Sequence, residues 1–518
     1  MYLTAIFAST FAITSTAASD CIDVKFGPPS GANSPLERFL SYSIEFSSFA
    51  DFAGNASNPN AYSDNLLSSI AHYTGSKPLI RVGGNTQDLS TFNASQTQAV
   101  IQFFNSALPD HPANQTFGPA FFESYHTWPG VQFSHGFNLA ENSTEARQAL
   151  LDSVPYACRA LRGKFNGWEL GNEPDFFPGA VRPVNYTPTA YVVEWLEWSR
   201  KIRRVMEKAC PTQANDKNFK FLAPSLAGFQ GFSKFGTAPI FAAGLNADSD
   251  INYIAQHKYI EARGNPGITQ QGTLMNHTNN IVAVANLAGI SSSIDAVGAT
   301  NPSLVPKVPF IIGESNSLAR QGIGGVSNSF GAALWGLDYG LQLITQGIAW
   351  QPIQTRNTTI GTKAPFYGNI ALSAFLGDLT NPRARPQIVD LGLLNDYEAA
   401  YASYVRGKLA KLIVINMNAY NATATNVGFI TNYTRPVEKY RFQLPRGVRS
   451  VGLQRLLANG SDAITGVTFD GFSFAQELGH GRPVRLANIT RGEILRVRKN
   501  GRVEVSLLRS SAVILNLD

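Results

Sequence analysis

Two segments of this 518-residue chain deliver a carboxylate at the end of an apolar run. The first is Trp168-Glu169-Leu170-Gly171-Asn172-Glu173-Pro174, where strand-forming residues give way to Gly, Asn and Glu before a Pro stops the strand. The second is Phe310-Ile311-Ile312-Gly313-Glu314-Ser315-Asn316. A buried, unpaired carboxylate at a strand end is costly. A salt-bridged structural residue accounts for one such Glu; two of them aimed at one cleft point to chemistry. Paired carboxylates across a cleft are the equipment for glycosidic cleavage. One must hold a proton to give to the leaving oxygen, and the other must be ionised to attack the anomeric carbon. Asn172, beside Glu173, fits a donor to the sugar 2-hydroxyl.

These residues need a scaffold that aims them. From Ser41 to Leu376 short apolar runs alternate with helical stretches. Strands are predicted at 42–46, 79–83, 130–135, 167–170, 220–223, 251–257, 310–313 and 347–350. Helices are predicted at 60–73, 95–108, 143–161, 187–209, 275–289 and 327–345. Eight strands alternating with helices imply a parallel (β/α)8 TIM barrel, whose active-site face is built from the C-terminal ends of the strands. Glu173 then ends strand four and Glu314 strand seven. A doubly wound sheet fits less well, because no Gly-rich phosphate loop opens a helix. Beyond Pro382 helical periodicity gives way to short strands punctuated by Gly, Asn and Pro, the pattern of a β-sandwich. Residues 21–26 also read as a strand. The expected organisation is a leader at 1–19, an N-terminal strand segment at 20–34 joining the sandwich, a catalytic barrel at 35–380 and a C-terminal β-sandwich at 381–518.

Composition narrows the function classes. Hydrophobic residues at 44% and charged residues at 15% exclude a mainly disordered chain. The net charge of +6 is uneven: residues 404–518 hold 17 Lys and Arg against 7 Asp and Glu, a balance of +10 that leaves −4 for the rest. A basic surface favours acidic partners, with a simple solubility bias as the other reading. No Lys/Arg tail is present, and no nucleic-acid partner is expected. An uncharged apolar run at 3–14 followed by Ala17, Ala18 and Ser19 reads as a secretory signal peptide. No later stretch holds 18 consecutive apolar residues, so no membrane span is expected. Eleven Asn-x-Ser/Thr sequons follow, in keeping with a secreted, extracellular glycoprotein. Cys158 and Cys210 can pair in an oxidising compartment or lie as two buried thiols. With 7 His and no metal-ligand spacing, neither metal nor cofactor is expected.

The ordered set Arg81-Val82-Gly83-Gly84-Asn85, Gly171-Asn172-Glu173-Pro174 and Gly313-Glu314, then a Gly-rich loop at 322–325 leading into Ser329-Phe330-Gly331-Ala332-Ala333-Leu334-Trp335, resembles glycoside hydrolase family 79. That family contains the β-glucuronidases and heparanase, and the likeness is greatest to its fungal secreted members. The resemblance covers nearly the whole chain after the leader. It implies Glu173 as acid/base and Glu314 as nucleophile. Glu45 and Asn85 would contact the glycone, with a structural strand-end carboxylate as the rival for Glu45. His257 and Tyr259 would stand near the nucleophile, with a packed core histidine as the rival. The Gly324 and Gly325 amides would bind the uronate carboxylate, since glycine lets backbone approach an anion; an ordinary loop is the rival. The implied activity is that of a monomeric, secreted, retaining exo-β-glucuronidase releasing terminal glucuronic or 4-O-methylglucuronic acid from glycans such as arabinogalactan proteins. An endo-acting, heparanase-like enzyme is the alternative within the class. Around strand eight, between Tyr339 and Trp350, the chain lacks a His- and Tyr-containing stretch of its fungal relatives. That departure leaves a non-catalytic carbohydrate-binding relative as the alternative outside the class.

Overall fold

The computed structural model describes residues 21–106, 108–228, 235–354, 361–423 and 434–517, so the proposed leader lies outside the described residues. The apolar runs form eight parallel strands: β1 (Ser41–Glu45), β2 (Leu79–Gly83), β3 (Phe133–Phe137), β4 (Phe165–Leu170), β5 (Phe221–Leu226), β6 (Ile251–Ala262), β7 (Phe310–Ala319) and β8 (Ala349–Gln354). They close in chain order into the expected barrel. Every residue of β2, β3 and β5 is buried, as parallel strands covered on both faces require. Helices wrap the outside: α1 (Ala61–Thr74), α2 (Thr144–Ala160), α3 (Pro188–Ala209), α4 (Thr237–Ala242), α5 (His277–Thr300), α6 (Phe330–Thr345) and α7 (Ala364–Leu376). The sequence itself fixes most of their starts. Asn60, Ser143, Thr187, Asn276 and Ser329 each accept a backbone N–H of the first turn.

Two local expectations are corrected. The helix expected at 95–108 does not form. The connection from β2 to β3 instead folds as a small sheet of Ser90–Phe92, Val100–Asn105 and Leu108–Phe117. Val100, Ile101, Phe103 and Phe104 favour a strand, and Pro109 and Pro112 bar a helix just beyond. Strand eight starts at Ala349 and runs through Pro352, pairing with both β7 and β1. The departure from the family at this point therefore does not cost the barrel its eighth strand.

After the barrel the chain forms a nine-stranded sheet and contributes two strands to a three-stranded one. In the smaller sheet Val437–Gln443 pairs with Arg502–Leu508 on one side and, in parallel, with Ile22–Asp23 on the other. Val503, Val505 and Leu507 alternate inward and meet Ala400, Ala402, Leu412 and Val414 of the larger sheet, the packing of a β-sandwich. Of the two readings for Cys158 and Cys210, the disulfide forms, joining the end of α2 to the end of α3. Nine sequon asparagines fall among the described residues; all but Asn276 and Asn421 are exposed.

Candidate active site

Local backbone aims the two carboxylates. After β4, Glu173 adopts a left-handed conformation (φ 49°, ψ 53°) that costs a residue with a side chain about 1–2 kcal/mol. Neighbouring strands hold it there. The Glu173 N–H donates to Ser225 O of β5 at 3.0 Å, and the Asn172 N–H to Asp88 Oδ2 at 2.7 Å. On the opposite side, the register between β6 and β7 slips after Gln256: Gln256 faces Ile312 and His257 faces Glu314. Gly313 is the extra residue of a bulge, a device that re-aims a side chain. It sets His257 beside Glu314.

Arg81 organises the floor of the site. It lies in the middle of β2 and is completely buried. Its Nε and Nη2 grip both oxygens of Glu169 at 2.7 and 2.9 Å. Nη1 donates to Glu314 Oε2 at 2.6 Å and to Ser43 Oγ at 2.9 Å, and Nη2 also reaches Asn172 Oδ1 at 2.7 Å. Gly83 makes room for this fork: a Cβ there would sit 2.9 Å from both Arg81 Nε and Glu169 Oε2. Tyr259 donates its hydroxyl to Glu314 Oε1 at 2.6 Å. His257 Nδ1 lies 3.0 Å from Glu173 Oε1 and 3.8 Å from Glu314 Oε2. One carboxylate oxygen from each Glu and one His257 nitrogen lie within 4.8 Å of one another. By donor type these three could ligate a cation, but the Arg81 guanidinium already supplies positive charge to Glu314.

The surroundings push the two carboxyls apart. Burial raises the pKa of Glu173, and the nearby Glu314 charge adds to this against the opposing bond from His257. Burial also works on Glu314, but the charges of His257 and Arg81 and the bonds from Tyr259 and Arg81 outweigh it, leaving that carboxyl below its ordinary value. His257 is disfavoured as a cation by burial, yet Glu314 and Glu173 together raise it above its usual range. The pair is thus divided into a proton holder and an ionised partner.

The other expected residues fall around this core. Glu45 ends β1, and its Oε2 accepts the Thr86 N–H and hydroxyl at 3.1 and 2.5 Å. Burial and then Glu314 push Glu45 up to about 7. Asn85 accepts a bond from Asn172 Nδ2 at 2.8 Å, which leaves Asn172 one amide hydrogen for a ligand. Gly324 and Gly325 lie on the loop after β7. The Gly325 N–H is spent on Asn328 Oδ1 at 2.7 Å, which corrects the pairing of two free amides; the Gly324 N–H has no partner among the described residues. Sequence reasoning gave no role to Arg81, Glu169, Asp88 or Asp175. A charge in the middle of the apolar run Leu79-Ile80-Arg81-Val82 was the available signal for Arg81, and Glu169 is its complement on β4.

Comparison with known proteins agrees with this geometry. Residues 400–514 match the glycosyl hydrolase family 79 C-terminal beta domain. A β-glucuronidase from Aspergillus niger is 43% identical over 525 aligned residues, covering 96% of this chain and 94% of the relative. A β-glucuronidase from Neurospora crassa is 40% identical, covering 91% and 90%. Among solved structures, a 4-O-α-L-rhamnosyl-β-D-glucuronidase from Fusarium oxysporum superposes with a TM-score of 0.77 at 23% identity, covering 96% of this chain and all of that one. A family 51 α-L-arabinofuranosidase from Bifidobacterium longum superposes at 0.59 with 12% identity, covering 97% of this chain and all of that one, a likeness of fold. A barrel bearing a split carboxylate pair, a matching β-domain and relatives at this identity over almost the full length lead to one conclusion: the chain belongs to glycosyl hydrolase family 79 and is a glycoside hydrolase.

Proposed function

We propose that the chain is a secreted, retaining exo-β-glucuronidase that removes terminal β-linked glucuronic or 4-O-methylglucuronic acid from acidic glycans, arabinogalactan-protein side chains among them. The observation that carries the reading is the close, oppositely tuned pair. Retaining glycosidases hold their carboxyls about 5–5.5 Å apart and inverting ones about 6.5–9.5 Å. Approach of the Glu173 and Glu314 oxygens within 4.8 Å supports the retaining mode. The names of the two relatives support the glycone. The disulfide and the exposed sequons support an oxidising, extracellular setting.

In the first step Glu314 attacks the anomeric carbon while Glu173 passes its proton to the departing glycosidic oxygen, so the glycosidic bond breaks as a glycosyl ester forms. Esterification removes the Glu314 charge that helps hold the proton on Glu173. The carboxyl of Glu173 then falls and takes a proton from water, whose oxygen attacks the same carbon and frees Glu314. Arg81 and Tyr259 keep Glu314 oriented and ionised between turnovers. For the glycone, Glu45 and the remaining Asn172 hydrogen face the sugar hydroxyls, and the Gly324 amide is offered to the uronate.

Kinetics of two variants test the roles. Glu314→Ala should abolish turnover of every β-glucuronide. Glu173→Ala should still form the glycosyl ester from a substrate with a good leaving group, such as nitrophenol, and azide should restore its turnover. Equal loss on good and poor leaving groups without azide rescue would sink the assignment.

A further inference from the structure

Strand register collects a group of exposed cations at one end of the sandwich. Arg446 and Arg449 lie on the connection from Val437–Gln443 to Ser450–Leu457. Glu493–Arg496 pairs with that second strand, setting Arg496 opposite Ser450, and the Val497 N–H donates to Arg449 O. Arg498 and Lys499 sit on the turn that follows, and Arg502 opens the next strand opposite Gln443. All six side chains are exposed, and none is in an ion pair with a carboxylate among the described residues. Arg406 and Lys408, also exposed, occupy a neighbouring turn, because Lys411 and Gly452 both stand opposite Asn516.

Among the described residues, the carboxylates of the strands that carry this charge are committed elsewhere. Glu504 is held by Arg441 and Lys439, Glu493 by Arg455, and Glu438 by Arg509. Among the described residues of these turns and strand ends the one carboxylate is Asp23, tied to Lys25 Nζ at 2.6 Å. Unbalanced like charges oppose the compact state, and a polyanion relieves that repulsion. Five of the six are arginines, whose planar fork matches carboxylate geometry.

This end is not the catalytic mouth. At the sandwich's opposite end, Ser461 O and Ala463 O accept the N–H groups of Gly331 and Phe330, at the start of α6 just beyond β7 and Glu314. Lys411 instead donates to Ala374 O, near the end of α7 and so at the barrel end remote from the carboxylate pair. The basic end lies beyond Lys411 on that remote side.

We infer that the distal end of the sandwich is an anchoring surface for an acidic polysaccharide, a polymer carrying carboxylates along its length, separate from the catalytic mouth. The choice of polysaccharide over other polyanions rests on the reading of the site as uronate-specific; the surface itself does not. Such a surface holds the enzyme on its polymer without presenting the bond to be cut.

Affinity electrophoresis through gels containing polygalacturonate tests this with the intact enzyme. The wild type should be retarded at about 0.05 M NaCl and released at about 0.5 M, where screening is short-ranged. Glu314→Ala should be retarded equally, since the anchor is not the active site. The combined Arg446→Ser, Arg449→Ser, Arg496→Ser and Arg498→Ser variant should lose about tenfold in apparent affinity while turning over nitrophenyl β-glucuronide at the wild-type rate. Retardation of that variant equal to wild type would overturn the proposal. Duplex DNA or anionic phospholipid vesicles binding as tightly as polygalacturonate would overturn the choice of partner. Failure of the proposed activity would appear separately, as absent wild-type turnover with retardation intact.

Discussion

Replacing His277 by Gln tests whether a buried cation locks the sandwich onto the barrel. His277 opens α5, and its Nδ1 lies 3.0 Å from both carboxylate oxygens of Asp338 on α6. Its Nε2 lies 3.4 Å from Asp390, on the sandwich strand Gln387–Asp390. Tyr401 from the sandwich and Asn280 from α5 complete the shell around Asp338 at 2.5 and 2.7 Å. Burial opposes a proton on His277, but bonds to Asp338 and Asp390, reinforced by their charges, push its pKa from 6.5 up to about 10. At about 1.36 kcal/mol per pH unit this bounds the lock at about 5 kcal/mol. Asp390 is 24% exposed, and solvent screening brings the figure down to about 2–3 kcal/mol. Because the folded-state pKa is raised, the full contribution is present below pH 6.5 and is lost as pH climbs toward 10. His277→Gln should therefore lower Tm by about 5 °C at pH 5.5, at roughly 2 °C per kcal/mol, with a gap that closes steadily between pH 6.5 and 9. Differential scanning fluorimetry across that range reads the gap directly. A gap that stays constant with pH would refute the reasoning, since it would mean that His277 matters only as a packed neutral ring.

Three further outcomes follow from the site. Tyr259→Phe removes a bond to an ionised carboxylate worth about 1.5–3 kcal/mol, so kcat/KM should fall about 10- to 150-fold and its acid limb should move to higher pH; a loss with an unmoved acid limb would mean displaced packing. Arg81→Lys cannot span Glu169, Glu314 and Asn172 together and should destabilise the fold by about 3–5 kcal/mol, measured by urea unfolding, and an unchanged midpoint would contradict the role given to the guanidinium. For a β-glucuronide, KM should rise as pH passes about 7, while for the uncharged glucuronamide analogue it should stay flat; parallel curves would show that charge in the pocket does not govern binding.

The barrel was legible because β strands and helices leave different periods in the sequence, and most of the long helices also carry their own cap. The carboxylate pair was legible because Glu173 and Glu314 follow short apolar runs bounded by Gly, which read as buried strands. The segment at 95–108 misled because no residue of the strand Val100–Asn105 is buried to impose strict alternation, and Phe103 and Phe104 remain about half exposed. The bulge at Gly313 was invisible, since its cause is the register of a strand far away in sequence. Asp88 and Asp175 escaped for a related reason. Asp88 accepts the backbone N–H groups of Leu139, Ala140 and Asn172, and Asp175 those of Ala227 and Gly228. Backbone partners leave no residue type behind to be read. The +10 balance was plain in the composition, but only strand pairing reveals that a group of its exposed cations gathers at the end away from the site.

Charge balance in the pocket explains why an anionic sugar should bind best in mild acid. Six carboxyls crowd it: Glu45, Asp88, Glu169, Glu173, Asp175 and Glu314, against the cations Arg81 and His257. With all six ionised, the site would carry a large negative charge and repel a uronate. Burial prevents this. It raises Glu173 and Asp175 and pushes Glu45 and Asp88 up to about 7. All four are thereby biased toward the neutral form, and Arg81 is paired with Glu169 and Glu314, so in mild acid the negative charge of the pocket is held down. As pH rises through about 7, Glu45 and Asp88 ionise and the field turns against a second anion. Glu45 is close enough to Glu314 to feel its charge, so its own charge acts within the site. The penalty should fall on KM for the charged glycone, and the uncharged amide, close to it in shape, isolates it from any change in the Glu173 and Glu314 pair.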